Sequence, residues 1–346
     1  MAGELLLEVT DLSVDFPSDD GVVHAVRGVS YGLSSGEVLA IVGESGSGKS
    51  VSCLALMGLL PKTARIQGSA VYRGTDLLSL KPKELNAYRG NRIAMIFQDP
   101  MTSLNPVYSV GWQLAEAVKA HHKDMSKSDA WTRAVDLLQL VNIPNPQSRA
   151  KNYPHEFSGG MRQRAVIAMA MANDPEVIIA DEPTTALDVT VQAQVLETLE
   201  TAQEETGAAM VLITHDLGVV AGVADRILVM YAGKPVEVST VDEVFYNPKM
   251  PYTLGLLGSL PRLDTEEEML TPIQGSPPSL VNLPPGCPFS PRCPLVADVC
   301  LETEPPLEVT SSADHLAACH RWRELEGDVD ARDFFEATHV DAETTS

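Results

Sequence analysis

The sequence lacks any long apolar run, because no stretch of eighteen or more apolar residues occurs in its 346 residues. A helix needs roughly that length to cross a bilayer, so we expect no membrane-spanning segment. The first eight residues also lack the basic region and the length of a secretory signal. We therefore expect a protein that stays in the cytoplasm.

Basic residues are scarce as well, since 25 lysines and arginines stand against 47 aspartates and glutamates, for a net charge of −22. Neutralising the phosphates of a nucleic acid requires a basic surface, so nucleic acid is not expected as a partner. The acidic residues are spread along the whole chain, which suits a cytoplasm of high salt concentration where screening reduces self-repulsion. The alternative is an ordinary acidic protein of a mesophile; we favour the halophile.

The most informative motif that is present is the run GESGSGKS at residues 43–50, which matches the pattern G-x-x-x-x-G-K-[ST]. Apolar segments before and after it predict a strand, a loop and a helix, a context in which backbone N–H groups face a phosphate chain. Lys49 is expected to reach the β- and γ-phosphates, and the Ser50 hydroxyl to bind Mg²⁺. A glycine-rich turn that binds nothing fits this context less well. The predicted nucleotide-binding residues are Gly43, Glu44, Ser45, Gly46, Ser47, Gly48, Lys49 and Ser50.

Strand and helix patterns alternate along much of the chain, which predicts a mostly parallel sheet with helices on both faces. Helical periodicity in the middle of the chain marks an insertion in this α/β core. Short strands are expected within 5–42, with turns at 17–21 and 34–36, and at 93–97, 177–180 and 208–214; helices of the insertion are expected at 110–120 and 129–141.

Two carboxylates follow the apolar segment 177–180, and in a parallel sheet such a strand ends beside the phosphate loop. Asp181 can then hold Mg²⁺ through water, and Glu182 can polarise the attacking water as general base. An acidic strand end is common, but the following segment PTTALD at 183–188 favours the catalytic interpretation. Gln98 and His215 also follow predicted strands and are expected at the same edge, with His215 near the γ-phosphate.

Two further features concern the nucleotide. Phe16, upstream of the phosphate loop, fits stacking on an adenine ring and packing in the core equally well. The small residues Ser158, Gly159 and Gly160 open an apolar helix, which predicts a second anion site at its N-terminus. One chain rarely needs two triphosphate sites, so we expect this second site to face a nucleotide held by another subunit. Taken alone, Ser158 would be interpreted as a plain N-cap.

Together these motifs resemble the ATP-binding subunit of an ABC transporter over about residues 5–240. The motifs occur in the order Walker A loop 43–50, Q-loop Gln98, signature 157–161, Walker B strand 177–181, catalytic Glu182, D-loop 186–188 and H-loop His215. The dipeptide and oligopeptide subfamily is the most similar. That finer resemblance rests on QDPMTSLNP at 98–106, on FSGGM at 157–161, where the general family has Leu first and Gln fifth, and on PGCPFSPRCP at 285–294.

The resemblance implies a fold and an active site. The fold is α/β, a P-loop NTPase of RecA-like type with a parallel sheet core, an antiparallel β subdomain, an inserted α-helical subdomain and a small C-terminal metal-binding appendage. ATP is the implied substrate, Ser50, Gln98 and Asp181 the Mg²⁺ ligands, and Glu182, His215 and Gln98 the catalytic residues. The implied domains are an ATP-binding core at 1–98 and 176–240, a helical subdomain at 99–175, an extension at 241–324 and an acidic, poorly ordered tail at 325–346.

The implied function is ATP hydrolysis coupled to the import of di- or oligopeptides, at the cytoplasmic face of the cell membrane. The implied partners are two transmembrane permease subunits, a second, related ATPase subunit and an extracytoplasmic solute-binding protein. Sugar or nickel is the alternative solute. A soluble ABC ATPase of DNA repair or translation would usually carry long coiled coils or paired cassettes, which this sequence lacks. A nucleotide-dependent scaffold without turnover is disfavoured by the intact Glu182 and His215.

Four of the five cysteines lie in the proline-rich C-terminal segment, namely Cys287, Cys293, Cys300 and Cys319. Cytoplasmic disulfides are uncommon, and structural zinc sites usually contain closer cysteine pairs than the C-x₅-C-x₆-C spacing found here. Four thiolates can hold a [4Fe–4S] cluster, and the tail resembles that of cluster-binding peptide-transporter ATPases. We therefore predict a cluster in preference to Zn²⁺, and either in preference to free thiols.

The same segment carries little apolar material, so we expect it to need a metal centre to become ordered. As a separate appendage, it should leave ATP binding unaffected when the centre is lost. Cys53 lies in the apolar helix after the phosphate loop and is expected simply to pack there.

Overall fold

The structure is a computed structural model and describes residues 3–99, 103–185, 188–260, 273–327 and 334–335. The strands of these residues form two β-sheets. In chain order they are β1 Leu5–Ser18, β2 Gly21–Ser34, β3 Val38–Val42, β4 Arg65–Tyr72, β5 Thr75–Asp76, β6 Ile93–Ile96, β7 Val177–Asp181, β8 Ala209–Thr214, β9 Arg226–Tyr231, β10 Lys234–Thr240, β11 Glu308–Val309 and β12 Leu316–Ala317.

The helices surround the larger sheet, and none in the described part of the chain is long and apolar enough to cross a membrane. In chain order they are α1 Lys49–Leu56, α2 Pro82–Leu85, α3 Val110–His121, α4 Lys127–Leu140, α5 Pro146–Arg149, α6 Gly159–Ala170, α7 Val189–Thr206, α8 Leu217–Val220, α9 Val241–Tyr246, α10 Pro251–Gly258 and α11 Asp298–Glu302.

The smaller sheet is antiparallel with strand order β2-β1-β4-β5, which confirms the predicted antiparallel β subdomain. Its first two strands are fourteen residues each, which is longer than expected, but they meet and end at the predicted turns 17–21 and 34–36. Their ladder runs from Leu5 opposite Ser34 to Ser18 opposite Gly21 and continues through several register shifts. Such bulges interrupt the alternation of apolar and polar residues without ending the strand.

The larger sheet has the order β11-β12-β10-β9-β3-β8-β7-β6. Strands β9, β3, β8, β7 and β6 run parallel, as predicted, and β10, β12 and β11 continue the sheet in antiparallel pairing. Every residue of β3, β7 and β8 is buried, as expected for a parallel sheet covered on both faces. The phosphate loop follows β3, which lies between β9 and β8.

Alternate residues of the parallel strands pack into different hydrophobic clusters. Ile178 and Ala180 of β7 join the cluster that contains the helical insertion, whereas Val177 and Ile179 join the one that contains α1 and the smaller sheet. The two long insertion helices, α3 and α4, lie close to the predicted ranges and begin at the serine N-caps Ser109 and Ser126. These clusters hold both subdomains against the sheet that carries the phosphate loop.

The C-terminal extension packs directly on the larger sheet. Cys287, Phe289 and Cys300 share a hydrophobic cluster with Val229 and Tyr231 of β9, among other residues, and β12 pairs with β10. The core thus supplies the segment with an apolar partner surface that the sequence did not indicate, and its need for a metal centre stays a prediction. The domain boundaries stay predictions. Much of the expected acidic tail, at 328–333 and 336–346, lies outside the described residues.

Candidate nucleotide-binding site

The phosphate loop joins β3 to α1 in the predicted order of strand, loop and helix. Gly43 has φ 154°, and a Cβ atom there would lie 2.2 Å from the Met230 carbonyl oxygen. Gly48 has φ 100°, and a Cβ atom there would lie 2.3 Å from the Ala25 carbonyl oxygen. Both positions combine a left-handed backbone with close contact to a neighbouring chain segment, so only glycine fits.

The predicted phosphate and magnesium residues meet at the start of α1. The Lys49 Nζ donates to the carbonyl oxygens of Gly43 at 2.6 Å and Glu44 at 3.1 Å, and burial lowers its pKa. The Ser50 Oγ donates to Asp181 Oδ1 at 2.7 Å. Burial also raises the pKa of Asp181, although the hydrogen bond from Ser50 opposes that rise. The site thus places one cation, one hydroxyl and one carboxylate together, the set that a magnesium–triphosphate complex requires.

Glu182 lies beside them, at the centre of a group of polar side chains. Its carboxylate Oε2 accepts hydrogen bonds from Gln98 Nε2 at 2.9 Å and Thr185 Oγ1 at 2.8 Å, and lies 3.5 Å from His215 Nδ1. Gln98, Glu182 and His215 follow the neighbouring strands β6, β7 and β8, which explains why their side chains converge. Thr185 belongs to the segment noted in the sequence but was not predicted individually. The role of Gln98 as a Mg²⁺ ligand stays a prediction.

Glu182 also has an unusual backbone. Its φ of 46° lies in the left-handed region, which a residue with a side chain rarely adopts. Its N–H group donates to the Ile213 carbonyl oxygen at 2.9 Å, so this conformation is anchored on the neighbouring strand β8. Strained backbone of this kind is common where a side chain must be aimed at a reaction site.

Phe16 lies in β1 opposite Val23, half-buried against the cluster of the smaller sheet. This position leaves both interpretations of its side chain open. Cys53, in contrast, is completely buried in α1, where burial raises the pKa of its thiol to about 12, in agreement with a packing role.

The signature residues lie at the N-terminus of α6. The Ser158 Oγ accepts a hydrogen bond from the Met161 N–H at 3.3 Å, so Ser158 does cap the helix. A Cβ atom at Gly160 would lie 2.6 Å from Val191 Cγ1 of α7, so glycine permits the two helices to pack closely. Ser158 and Gly159 are exposed. Of the predicted D-loop, residues 186 and 187 lie outside the described ranges, and Asp188 caps α7.

Glu44 is held in a way that the motif does not indicate. Its carboxylate forms a two-pronged ion pair with Arg292, from Nη1 to Oε2 at 2.7 Å and from Nη2 to Oε1 at 2.8 Å. Its N–H group donates to the Tyr252 hydroxyl at 2.8 Å. Both partners belong to the region after residue 241, more than two hundred positions along the chain from Glu44.

The four cysteines of the extension line one cavity. Burial raises the pKa of Cys287, and raises those of Cys293 and Cys319 to about 12, whereas backbone N–H groups next to these sulfurs favour the thiolate. Across the described residues, no group of three or more histidine, cysteine, aspartate or glutamate side chains is arranged to hold a metal ion. The metal-binding part of the predicted fold is therefore not shown.

Comparison with known proteins agrees with the motifs. Residues 26–185 match the family model "ABC transporter", and residues 236–300 match "Oligopeptide/dipeptide transporter, C-terminal region". The oligopeptide transport ATP-binding protein OppD of Salmonella typhimurium is 54% identical over 318 residues, which are 92% of this chain and 94% of that protein. The chain belongs to the ABC transporter ATP-binding proteins. The dipeptide transport ATP-binding protein DppD of Bacillus subtilis is likewise 54% identical over 318 residues, 91% of this chain and 94% of that protein.

Within this ABC family the relatives differ in length. OppD of Mycobacterium tuberculosis is 56% identical over 317 residues, but these are 91% of this chain and only 52% of that protein. The chain thus spans about half the length of the mycobacterial relatives. Among solved structures, the ATP-binding cassette MJ0796 in a dimeric, post-hydrolysis state bound to ADP and Pi superposes with a TM-score of 0.61. It is 26% identical, and the match covers 68% of this chain and 99% of that one, which confirms the ABC cassette fold.

Proposed function

We propose that the chain is the ATP-hydrolysing subunit of an ABC importer of di- or oligopeptides. The observation that carries this proposal is the convergence of Lys49, Ser50 and Asp181 with Glu182 and its neighbours at one edge of the parallel sheet. The relatives named oligopeptide and dipeptide transport proteins favour peptides over sugar or nickel as the solute.

The arrangement supports a hydrolytic mechanism in which water attacks the γ-phosphorus of ATP. The loop N–H groups and Lys49 bind the phosphates, and Ser50, Asp181 and Gln98 would hold Mg²⁺, which neutralises charge on the β- and γ-phosphates when bound. Glu182 accepts a proton from the water as the new P–O bond forms and the bond to ADP breaks. The Gln98 amide and the Thr185 hydroxyl orient the Glu182 carboxylate for that step.

The exposed signature supports a dimer of ATPase subunits. No hydrogen bond joins Ser158, Gly159 or Gly160 to the phosphate loop at 43–50, all of which the structure describes. The N-terminus of α6 is therefore available to the phosphates of a nucleotide on a second cassette. We propose that this second cassette is a related ATPase rather than another copy of this chain. Full transport activity from an assembly with this ATPase alone would contradict the heterodimer.

A groove next to the active site suits a segment of the permease. This cavity of about 800 Å³ lies between α1, the Q-loop, α3 and α6, and its lining is mostly apolar. Phe97 and Leu59 at its edge are more than 40% exposed and add to the apolar surface of the groove, and contiguous apolar surface marks interaction sites. Gln98 and Asp181 also line it, so a segment seated there would contact the hydrolytic site directly. This docking would place the chain on the cytoplasmic face of the membrane, with a solute-binding protein on the other side.

Transport in reconstituted vesicles tests the whole assignment. Permease subunits, both ATPases and the solute-binding protein should hydrolyse ATP faster when a peptide is supplied, and peptide should accumulate inside the vesicles. The matched control carries Lys49→Ala, which should lose ATP binding. Peptide-independent turnover without accumulation would favour a soluble ABC ATPase, and ATP binding without turnover would favour a scaffold.

A [4Fe–4S] cluster at Cys287, Cys293, Cys300 and Cys319 remains a proposal. It is supported by the convergence of the four cysteines on one small pocket and by the backbone N–H groups beside three of the sulfurs. Among the described residues no group is arranged to hold a metal ion, which applies to Zn²⁺ and to the cluster alike. The preference for the cluster therefore rests on the C-x₅-C-x₆-C spacing, which is longer than that of usual structural zinc sites. Iron analysis of anaerobically purified protein should give about four irons per chain, and iron-free protein with four reactive thiols would reject the proposal.

A further inference from the structure

The C-terminal extension binds the phosphate loop at Glu44, the second residue of the loop. Glu44 is bound twice, through its carboxylate by Arg292 and through its N–H group by the Tyr252 hydroxyl. Glu44 lies within five residues of Lys49, and its carbonyl oxygen accepts a hydrogen bond from the Lys49 Nζ. A displacement of Glu44 therefore moves a group that directly positions the phosphate-binding lysine.

Arg292 is built into the extension rather than resting on its surface. Its side chain is 3% exposed, against 27% for that of Glu44. Its Nε donates to the Gln274 carbonyl oxygen at 2.8 Å, Nη2 donates to that of Ile273 at 3.2 Å, and Nη1 reaches the Tyr231 hydroxyl at 3.3 Å. Burial disfavours its charge, but the hydrogen bonds to Glu44 and Tyr231 leave its pKa above the ordinary value. The planar guanidinium is thus fixed in one orientation, which suits two-pronged recognition of a carboxylate.

Aromatic packing makes this support rigid. The rings of Tyr231, Tyr252 and Phe289 lie with their centroids 4.6, 5.3 and 5.4 Å apart, pair by pair. Arg292 lies 5.9 Å from the ring of Tyr231 and 5.8 Å from that of Phe289. These residues come from β9, α10 and the segment before Arg292, so the contact joins the core sheet to the extension.

The extension also touches the hairpin on the other side of the site. The His24 N–H donates to the Leu280 carbonyl oxygen at 3.0 Å, and Gly21 packs against Val281. This hairpin of β1 and β2 carries Phe16, the predicted adenine contact. The extension therefore reaches both the phosphate end and the expected base end of the nucleotide site.

We propose that Arg292 is a positioning residue for the phosphate loop, through which the C-terminal extension sets the affinity for ATP. This inference rests on the proposed function only in that residues 43–50 bind ATP. It replaces the sequence-based expectation that ATP binding is independent of the extension, because that expectation assumed a separate appendage. A buried ion pair that served stability alone would leave the affinity unchanged once the protein is folded.

Equilibrium ATP binding by the full-length protein tests the proposal through a double-mutant cycle. Arg292→Ala should raise the Kd for ATP by about tenfold, within the usual range for coupling between two sites. Glu44→Ala should have a similar effect, and the double variant should be no worse than either single variant, because both remove the same interaction. Arg292→Lys keeps the positive charge but cannot bind both carboxylate oxygens of Glu44 at once. Its Kd for ATP should therefore lie between those of Arg292→Ala and the wild-type protein.

Two controls separate the possible failures. Glu324→Gln removes the ion pair between Glu324 and Arg321, whose hydrogen bonds stay within the extension, and should leave the Kd unchanged. Lys49→Ala should abolish binding whether or not Arg292 matters, so wild-type affinity there would reject the ATP site itself. A lower melting temperature for Arg292→Ala with an unchanged Kd, or additive effects in the cycle, would overturn the role of Arg292.

Discussion

Glu182 combines a left-handed backbone with a carboxylate held by hydrogen bonds from two other side chains. A conformation that is costly for a residue with a side chain persists only where surrounding contacts enforce it, here the hydrogen bond to Ile213 on β8. Its carboxylate thereby faces the edge where Ser50 and Asp181 meet. At the scale of single residues, the geometry agrees with a general base next to a magnesium site.

Replacement of this carboxylate should separate binding from hydrolysis. Glu182→Gln keeps the size of the side chain but removes the base, so hydrolysis should fall by roughly 10²-fold or more while ATP binding persists. The ATP-bound dimer should accumulate and can be followed by size-exclusion chromatography. Glu176→Gln is a matched control, because Glu176 lies just before the start of the same strand and pairs with Arg73 and Arg92. Wild-type turnover in Glu182→Gln would refute the assignment.

The site residues that the sequence predicted belong to short local motifs. Those that it missed contact residues that are far away along the chain. The phosphate loop and the carboxylates of β7 are short motifs whose spacing alone indicates the chemistry. Tyr252 and Arg292 contact Glu44 across 208 and 248 positions, and no local pattern encodes such a contact. A single arginine in a proline-rich segment carries no periodicity, so only the fold of the extension shows its role.

At the scale of elements, the N-terminus of α6 packs on α7 through Gly160. Because a Cβ atom at this position would lie 2.6 Å from Val191 Cγ1, any side chain there must displace either the Val191 side chain or the two helices. The predicted second anion site and the helix that follows the predicted D-loop are thus held at a fixed separation. The sequence indicated the small residues but not this reason for one of them.

Gly160→Ala should therefore destabilise this contact by about 1–3 kcal/mol, the usual cost of overpacking, and should lower ATP turnover by shifting the signature. Thermal unfolding and steady-state hydrolysis would measure the two effects. The double variant Gly160→Ala/Val191→Ala removes the clashing methyl group and should recover much of the lost stability. If the double variant is less stable than Gly160→Ala, the clash is not the cause.

The fold of the extension places its cysteines next to Arg292, so a change at a cysteine is expected to affect the phosphate loop. Cys293 follows Arg292 directly, at the end of the 3₁₀ helix Ser290–Arg292, and its side chain lines the cavity shared by the four thiols. A change at Cys293 can therefore shift the guanidinium that holds Glu44. From the sequence alone, the cysteine site and the ATP site were expected to be independent, because no local pattern indicates that Arg292 contacts Glu44.

If the proposed cluster is present, Cys293→Ser should lower the iron content and, through Arg292, weaken ATP binding several-fold, in the range of ordinary site–site coupling. Iron analysis and equilibrium nucleotide binding would be carried out on the same anaerobic preparation. Cys53→Ser is the matched control, because this buried thiol lies outside the extension and should leave the iron content unchanged. Unchanged ATP affinity in an iron-depleted Cys293→Ser protein would show that the cysteine site and the ATP site are independent.

At the scale of the whole molecule, the alternation of strands and helices was sufficient to predict the parallel sheet and the helical insertion, whereas the antiparallel β subdomain was implied only by the resemblance to ABC transporter ATPases. It did not predict that β12 of the extension would pair with β10, since two-residue strands such as β11 and β12 are too short to show a period. The packing of Cys287 and Phe289 against the core could not be predicted either, because the apolar residues of the extension are scattered along the sequence and come together only in the fold.

The net charge of −22 leads to a prediction for the molecule as a whole. Like charges spread over a compact surface repel one another, and salt screens them over about 10 Å at 0.1 M and about 3 Å at 1 M. If the acidic surface is an adaptation to high salt, the melting temperature should rise from dilute buffer to molar KCl. The last turn of α7 offers a matched variant, because the exposed Glu204 and Glu205 lie at the negative end of the helix with no basic residue in that turn. Glu204→Lys/Glu205→Lys should raise the melting temperature in dilute buffer and reduce the gain from KCl. A melting temperature that does not respond to salt in either protein would favour the mesophile.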